Sequence, residues 1–102
     1  MNLRDYARGQ ECQIRMPGIC CGDNETVVLC HIRMAGITGM SQKSADILGA
    51  HGCVTCHAEA DRRTRLLSED ESKLLFLEGI IRTQHLLISR GVVDAKGVRG
   101  KR

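Results

Sequence analysis

Aromatic residues are almost absent from this chain of 102 residues, which contains no Trp, one Tyr and one Phe. Large aromatic side chains supply much of the buried area in small cores, so their scarcity removes a usual source of stability. The length fits one domain with a modest core. We therefore expect a second stabilising device, such as a bound metal ion.

Long apolar runs are also absent. The longest stretch, residues 74–77, is followed by Glu78 and is far shorter than the roughly 20 residues that cross a bilayer. Charge begins at Arg4 with no apolar run behind it, which excludes a signal peptide at this end. These absences predict a cytoplasmic protein without membrane contact, whose cysteines are reduced.

Cysteine, in contrast, is abundant, with six residues. In a reducing compartment, thiolates on a metal are favoured over disulfides. Cys53 and Cys56 form a C-x2-C pair, a spacing that lets both sulfurs reach one tetrahedral ion at about 2.3 Å. Cys12 and Cys20 flank a Pro-Gly turn, which predicts a small hairpin that brings them together. We expect these four thiolates to hold a structural Zn²⁺, which can contribute on the order of 10 kcal/mol to folding.

Two further cysteines leave alternatives open. Cys21 could replace Cys20 as the fourth ligand, because only one of two adjacent side chains points inward easily. Cys30 follows a β-branched run and is expected to be a buried apolar residue at a strand end.

The pattern of propensities predicts an α+β fold. A short helix is expected over residues 2–8, a strand over 26–29, an exposed loop over 36–43, one helical turn over 44–48 and a helix over 57–66. His51 falls in a predicted loop, and neither it nor His85 on the last helix is expected to have a role.

The last helix is predicted most clearly. Ser68 and Glu71 form a capping box at its start, and Gly91 ends it. Its apolar face, which is expected to pack over the cysteine-bearing half, consists of Leu74, Leu77, Ile81 and Ile88, widened by Leu75, Ile80 and Leu87.

Basic residues are concentrated at the C-terminus. Residues 1–88 hold ten Lys/Arg and eleven Asp/Glu, a net charge of −1, whereas residues 89–102 hold five and one, a net charge of +4. A flexible basic tail over residues 94–102, after a single domain over residues 1–93, could follow a phosphate backbone. Alternatively, the tail only aids solubility.

A second group of polar residues follows the C-x2-C pair. His57 and Asp61 stand one helical turn apart, so they share a face and could bind a divalent cation from one side. Water and a phosphate would complete the coordination. His31, at the end of the predicted strand, could be aimed at the same point.

These motifs resemble a known family. The segments GQECQIRMPGIC, CHIRMAG, CVTCHAEADRRTR and LEGIIRTQ are similar to the YbcO-like putative nucleases carried by prophages, and the order of His31, Asp46 and Cys53-x2-Cys56-His57 is similar to that of HNH (ββα-metal) endonucleases. The resemblance implies a small zinc-stabilised HNH-like domain with a long C-terminal amphipathic helix. It also implies metal-dependent hydrolysis of DNA phosphodiester bonds, in phage or prophage DNA metabolism or recombination.

The resemblance assigns roles to individual residues. His31 would be the general base, His57 would bind a catalytic cation (Mg²⁺, Mn²⁺ or Zn²⁺), and Asp46 would occupy the middle position where the family usually has Asn. Asp61 as second cation ligand is a geometric expectation from the spacing. Phosphate contacts are expected from the neighbouring basic side chains, Arg62, Arg63 and Arg65.

One departure and one alternative remain. Cys30 precedes His31 where the family often has a metal-binding Asp or His, and a soft thiolate suits Zn²⁺ better than Mg²⁺, so the catalytic ion stays open. The alternative function is a non-catalytic, zinc-stabilised module that binds single- or double-stranded DNA. With either function, a recombination protein could be the partner of this chain.

Overall fold

A two-stranded antiparallel sheet and a long C-terminal helix dominate this small α+β structure. The computed structural model describes residues 2–34, 36–37 and 44–95. Most of the predicted loop 36–43 and of the predicted tail 94–102 lies outside these residues. The elements are α1 (Leu3–Ala7), a 3-10 turn (Asn24–Thr26), β1 (Val28–His31), a second 3-10 turn (Asp46–Leu48), β2 (Gly49–Gly52), α2 (Val54–Ala60) and α3 (Glu69–Ser89).

The sheet pairs β1 with a strand that the sequence did not predict. β2 has the sequence GAHG and was expected to be a loop, but it pairs antiparallel with β1 from Val28 opposite Gly52 to His31 opposite Gly49. Its glycines allow close neighbours: a Cβ on Gly52 would lie 2.6 Å from Cδ1 of Ile14. The strand therefore depends on small size rather than on β-branched side chains.

The outer edge of β2 is covered by other parts of the chain. The His51 amide donates to Thr83 Oγ1 of α3 at 3.1 Å. The His51 carbonyl accepts from the Gln13 amide at 2.7 Å. Because these contacts satisfy groups that an edge strand would expose, they fix the N-terminal loop and α3 on the sheet.

The ends of α3 agree with the prediction. Ser68 accepts the Glu71 amide at 3.1 Å as the N-cap. Gly91, with φ of 72°, ends the helix, and its amide donates to the Ile88 carbonyl. A left-handed residue at this position lets the last carbonyls find donors.

The buried face of α3 differs from the predicted one. Leu74, Leu77 and Ile81 are 56%, 40% and 64% exposed. Ile88 is half-buried. Two residues of the predicted face, Ile80 and Leu87, are buried as expected. The rest of the buried stripe consists of Ser72, Phe76, Gly79 and Thr83.

Small side chains explain this choice of face. A Cβ on Gly79 would lie 2.9 Å from Cα of Ile14, so the helix and the N-terminal loop are almost in backbone contact. Arg82 reinforces the contact, because its guanidinium donates to the carbonyls of Gln13 at 2.8 Å and Ile14 at 3.1 Å. The spacing of leucines in the sequence could not reveal that α3 and the N-terminal loop approach most closely at a glycine, Gly79.

The N-terminal loop differs in detail from the expected hairpin. It turns as predicted, with the Cys20 amide donating to the Met16 carbonyl at 2.9 Å, but the described residues 11–20 contain no strand. The loop nevertheless contributes fully buried side chains to the core, Ile14 and Met16. Among the described residues, no helix is long and apolar enough to span a bilayer.

Candidate functional site

Four cysteine sulfurs meet where the N-terminal loop reaches α2. Cys12, Cys20, Cys53 and Cys56 place their Sγ atoms within 4.8 Å of one another. The sulfurs of Cys20 and Cys53 are 3.8 Å apart. Four ligands at about 2.3 Å from one tetrahedral ion would be about 3.8 Å from each other. The quartet could therefore hold a zinc ion after a small contraction.

Local structure explains how the quartet forms. Cys53 is the N-cap of α2 and Cys56 lies in its first turn, so the C-x2-C pair spans the helix start. The prediction placed this start at residue 57, but α2 begins at Val54 and ends at Ala60 rather than at residue 66. The other two sulfurs come from the two sides of the loop that turns at Met16.

Proton sharing among the thiols indicates how closely they interact. A hydrogen bond from Cys56 lowers the pKa of the Cys12 thiol to about 4. The same contact raises the pKa of Cys56. Burial raises the pKa of Cys20 to about 11. Burial raises the pKa of Cys53, but hydrogen bonds with Thr55 and with backbone groups outweigh it and lower this pKa to about 7. The four thiols therefore ionise unevenly, and a bound cation would remove the repulsion among their thiolates.

The two remaining cysteines lie outside the quartet. Cys21 is exposed, and its sulfur is 3.8 Å from Thr26 Oγ1. The structure thus places Cys20, rather than Cys21, among the four sulfurs. Cys30 is buried in β1, and burial raises its pKa to about 12, so this thiol stays protonated and is a poor ligand.

His31 and Asp46 form a close pair beside the sheet. His31 is the last residue of β1, and Asp46 begins the 3-10 turn that leads into β2. His31 Nε2 lies 2.7 Å from Asp46 Oδ1. The other carboxylate oxygen, Oδ2, lies 3.6 Å from Nε of Arg4. An ionised carboxylate only accepts, so His31 donates from Nε2, and in the neutral ring Nδ1 then carries the lone pair.

His57 and Asp61 form a second pair on α2. His57 Nε2 lies 3.2 Å from Oδ2 of Asp61, the residue that caps the helix C-terminus. Burial lowers the pKa of His57, Asp61 opposes this shift, and the charges of Arg63, Arg33 and His31 lower the pKa further. Neutral imidazole is the form that binds metals.

The pair alone is half of a cation site. Within the described ranges, three or more His, Cys, Asp or Glu side chains place their ligand atoms within 4.8 Å of one another at the cysteine quartet, and not around His57 and Asp61. A cation on His57 and Asp61 would therefore take its other ligands from water or a phosphate, which is how Mg²⁺ is often bound.

A cleft of about 490 Å³ is lined by one residue of each pair, His31 and Asp61. Its walls are the end of β1 with the residues after it, the C-terminal end of α2 and the first turns of α3. The lining includes His31, Asp61 and Arg62 together with Arg33, Lys73, Phe76 and Leu77. Imidazole, carboxylate and cationic groups thus share one concave surface with apolar side chains.

The three arginines predicted to bind phosphate differ in their surroundings. Arg62 adopts φ of 61° and donates to Glu59 Oε2 at 3.2 Å and to the Leu67 carbonyl at 3.1 Å. The exposed Arg63 lies 3.6 Å from Asp61. Arg65 is exposed. Arg62 is therefore partly committed to the fold, while the other two face solvent.

Glu59 is a buried residue that the sequence analysis missed. Its carboxylate accepts the Thr64 hydroxyl at 2.6 Å and the amides of Leu66 at 3.1 Å and Leu67 at 2.9 Å. The Thr64 contact is the main reason that the pKa of Glu59 is lowered. Ser72 also donates to the Glu59 carbonyl at 3.2 Å. Glu59 thus fixes the turn next to Asp61, and nothing in the helix-favouring sequence AEADRR distinguishes it from a surface acid.

His51 is also in unexpected surroundings. It lies in β2 rather than in a loop, is 1% exposed, and its Nδ1 has no hydrogen-bond partner among the described residues. Its ring centroid is 6.2 Å from that of Tyr6. Burial, with the charge of Arg90, lowers its pKa, so the neutral ring behaves as a core residue.

Comparison with known proteins identifies close relatives. The profile of a family described as "Putative nuclease YbcO" matches residues 1–92. Proteins named "Putative nuclease YbcO" from Escherichia coli K12 and from Enterobacteria phage 82 are each 45% identical over 94 residues, which is 92% of this chain and 98% of the relative. A solved structure of a putative bacteriophage protein from E. coli K-12 MG1655 is 41% identical, with a TM-score of 0.76, and the match covers 88% of this chain and all of that one.

Proposed function

Because this chain belongs to the YbcO family of putative nucleases, we propose that it is a metal-dependent endonuclease that hydrolyses DNA phosphodiester bonds. The proposal includes an HNH-type ββα-metal unit formed by β1, β2 and α2. It also treats residues 1–93 as one domain and residues 94–102 as a basic tail.

The observation that carries the proposal is that two histidine–carboxylate pairs each contribute one residue to the lining of the same cleft. His31 with Asp46 and His57 with Asp61 come from β1, a 3-10 turn and α2, and His31 and Asp61 line the same cavity. Hydrolysis of a phosphodiester needs a base for water and positive charge near the phosphate. The two pairs offer the groups for both tasks.

In this proposal His31 is the general base. Its Nε2–H is held by Asp46, so the lone pair on Nδ1 can take a proton from an attacking water. A correctly positioned general base typically raises a reaction rate by roughly 10²–10⁴-fold. Asp46 acts through His31, because it fixes the tautomer and the direction of the ring.

His57 and Asp61 would hold the catalytic cation. Their ligand atoms are 3.2 Å apart, and two neighbouring ligands of one Mg²⁺, each at about 2.1 Å, would be about 3 Å apart. When bound, the cation stabilises negative charge that develops on the phosphate. Arg63 and Arg65, exposed on the turn after α2, would hold backbone phosphates nearby.

The cysteine quartet would hold a structural zinc ion. Its four sulfurs connect the N-terminal loop to the start of α2, the helix that carries His57. The ion would thus substitute for an aromatic core and fix the register of the site. A role in phage or prophage DNA metabolism or recombination is supported by the phage origin of one relative.

Cleavage tests the proposal directly. Purified protein should be incubated with single-stranded and duplex DNA and with Mg²⁺, Mn²⁺ or Zn²⁺, beside His31→Ala. His85→Ala is the matched control, because His85 is exposed on α3 and does not line the cleft. We expect wild type and His85→Ala to cut alike and His31→Ala to cut at least about 10²-fold more slowly.

Two results would reject the proposal. Equal cutting by wild type and His31→Ala would remove His31 as the base. Salt-sensitive DNA binding without cutting under any of the three metals would favour the non-catalytic binding module.

A further inference from the structure

The cleft beside His31 has more apolar wall than phosphodiester chemistry requires. Past His31, the cavity is lined by Ile32, the residue after β1, and by Phe76 and Leu77 from α3. Ile32 and Phe76 are 8% and 7% exposed, whereas Leu77 is 40% exposed. A phosphate and a hydrated cation gain nothing from such a surface, so another part of a ligand is expected to cover it.

Cationic side chains accompany this apolar wall. Arg33 and Lys73 line the cavity from two different parts of the chain, the segment after β1 and α3, and both are exposed. Glu69 is also in the lining, with Asp61 nearer the proposed cation site. A ligand with a flat apolar face and anionic groups on either side of it suits this combination, and a nucleotide within a strand has both.

The size and concave shape of the cleft favour an unpaired nucleotide over a paired one. A volume of 490 Å³ is in the range of roughly 300–1,000 Å³ that holds small molecules. Bases in a duplex are stacked inside the helix, and bringing one into a concave site requires unpairing and unstacking. An unpaired strand needs no such step, because every base exposes a face that can rest on apolar side chains.

We propose that this cleft is a base-binding subsite for an unpaired nucleotide next to the scissile phosphate, so that the protein acts on single-stranded DNA or on single-stranded segments of branched DNA. This inference rests on the proposed nuclease function for its position, since His31 forms one end of the cleft. The base contacts Phe76 and Leu77, and Arg33 and Lys73 hold the phosphates that flank it.

Binding can be measured separately from cutting. Fluorescence anisotropy of a short labelled single strand, and of the same sequence as a blunt duplex, gives both affinities in the His31→Ala background. The test variant is Leu77→Glu. The matched control is Ile81→Glu, which places the same charge one turn further along α3, at a position that is 64% exposed and outside the cleft lining.

The proposal predicts a specific difference between these variants. The parent should bind the single strand more tightly than the duplex, Leu77→Glu should weaken single-strand binding about tenfold, and Ile81→Glu should change it much less. Both positions are exposed, so both variants should keep the circular dichroism and zinc content of the parent.

Three outcomes would overturn the inference. These are equal affinity for single strand and duplex, equal effects of the two substitutions, and a self-association in sedimentation that Leu77→Glu abolishes without a change in DNA binding. The last outcome would mean that a second copy of the chain covers the cleft. Failure of the nuclease proposal is distinguishable, because a protein that prefers single strands through Leu77 but never cuts them retains the subsite and loses only the catalysis.

Discussion

His31 donates from Nε2 to Oδ1 of Asp46 across 2.7 Å, although the two residues are 15 positions apart in the chain. The contact crosses the sheet, because His31 ends β1 and Asp46 opens the turn that enters β2. In the HNH pattern that we propose for this site, the middle position is usually Asn. Ionised Asp can do the same task here, since only an acceptor is needed to hold the Nε2 proton.

This geometry makes a prediction for substitutions of Asp46. Asp46→Asn keeps an acceptor oxygen for His31 and should leave most of the cleavage rate. Asp46→Ala removes it and should lower kcat by about 10²-fold while KM changes little, because positioning of the base is lost rather than substrate binding. Cleavage rates measured over a range of substrate concentrations give kcat and KM for both variants. Equal losses in the two variants would show that the charge of Asp46 matters more than its acceptor.

The cysteine quartet predicts which thiols retain zinc. Cys20→Ser should lower bound zinc well below one equivalent per chain and destabilise the fold by several kcal/mol, up to the order of 10 kcal/mol that a structural zinc supplies. Cys21→Ser is the matched control, since the neighbouring thiol is exposed and outside the quartet. Metal analysis and thermal unfolding report both quantities. Zinc loss in Cys21→Ser rather than in Cys20→Ser would reverse the ligand assignment.

The packing of α3 predicts that Gly79→Ala destabilises the protein. In an open helix this substitution gains about 1 kcal/mol, because Gly has the larger backbone entropy in the unfolded chain. Here the new Cβ would lie 2.9 Å from Cα of Ile14 and 3.2 Å from the Gln13 carbonyl oxygen, and backbone atoms cannot move aside as easily as a side-chain tip. Overpacking of this kind costs about 1–3 kcal/mol. A rise in the midpoint of chemical unfolding would contradict this account of the interface.

Glu59 predicts a pH-dependent contribution to stability. Contacts with Thr64, Leu67 and Leu66, together with the charge of Arg62, hold the pKa of the buried carboxyl below its ordinary value. A group with a depressed folded pKa stabilises the fold above its unfolded pKa and loses this contribution as pH falls through the folded pKa. The free-energy difference between wild type and Glu59→Gln should therefore be greatest near neutral pH and shrink in acid.

A matched control exists for this variant. Glu78→Gln removes an exposed carboxylate from α3 and should change stability little at any pH. Urea unfolding at several pH values compares the two. A pH-independent difference for Glu59→Gln would contradict the lowered pKa, because it would mean that the carboxyl has the same pKa in the folded and unfolded states.

Sequence reasoning identified the four cysteines that cluster, because metal-ligand chemistry is specific to residue type and spacing. The C-x2-C spacing alone was enough to identify Cys53 and Cys56 as a pair. Pro17 and Gly18 predicted the turn between Cys12 and Cys20. The structure brings these four sulfurs together, although through a loop rather than a hairpin of strands. Ligand chemistry was thus more predictable than the backbone that presents it.

Elements that depend on close packing were not predictable in this way. β2 lacks the residues that favour strands, and its pairing depends on the small size of Gly49 and Gly52 beneath their neighbours. The packing of α3 against the N-terminal loop depends on the small size of Gly79. Leu74 and Ile81, which have the more regular helical spacing, are therefore left exposed. Glu59 gives no local signal at all, because its partners come from the turn that it organises.

The most direct test of the central claim is the dependence of DNA cleavage on added cation, measured for wild type and His57→Ala at fixed zinc content. Cleavage of a labelled oligonucleotide should be followed while Mn²⁺ is titrated, with structural zinc determined in the same samples. The account predicts that wild type cuts only when the cation is added, and that His57→Ala needs far more cation or does not cut, with its zinc unchanged. Identical titration curves for the two proteins, or no cutting by wild type at any cation concentration, would contradict it.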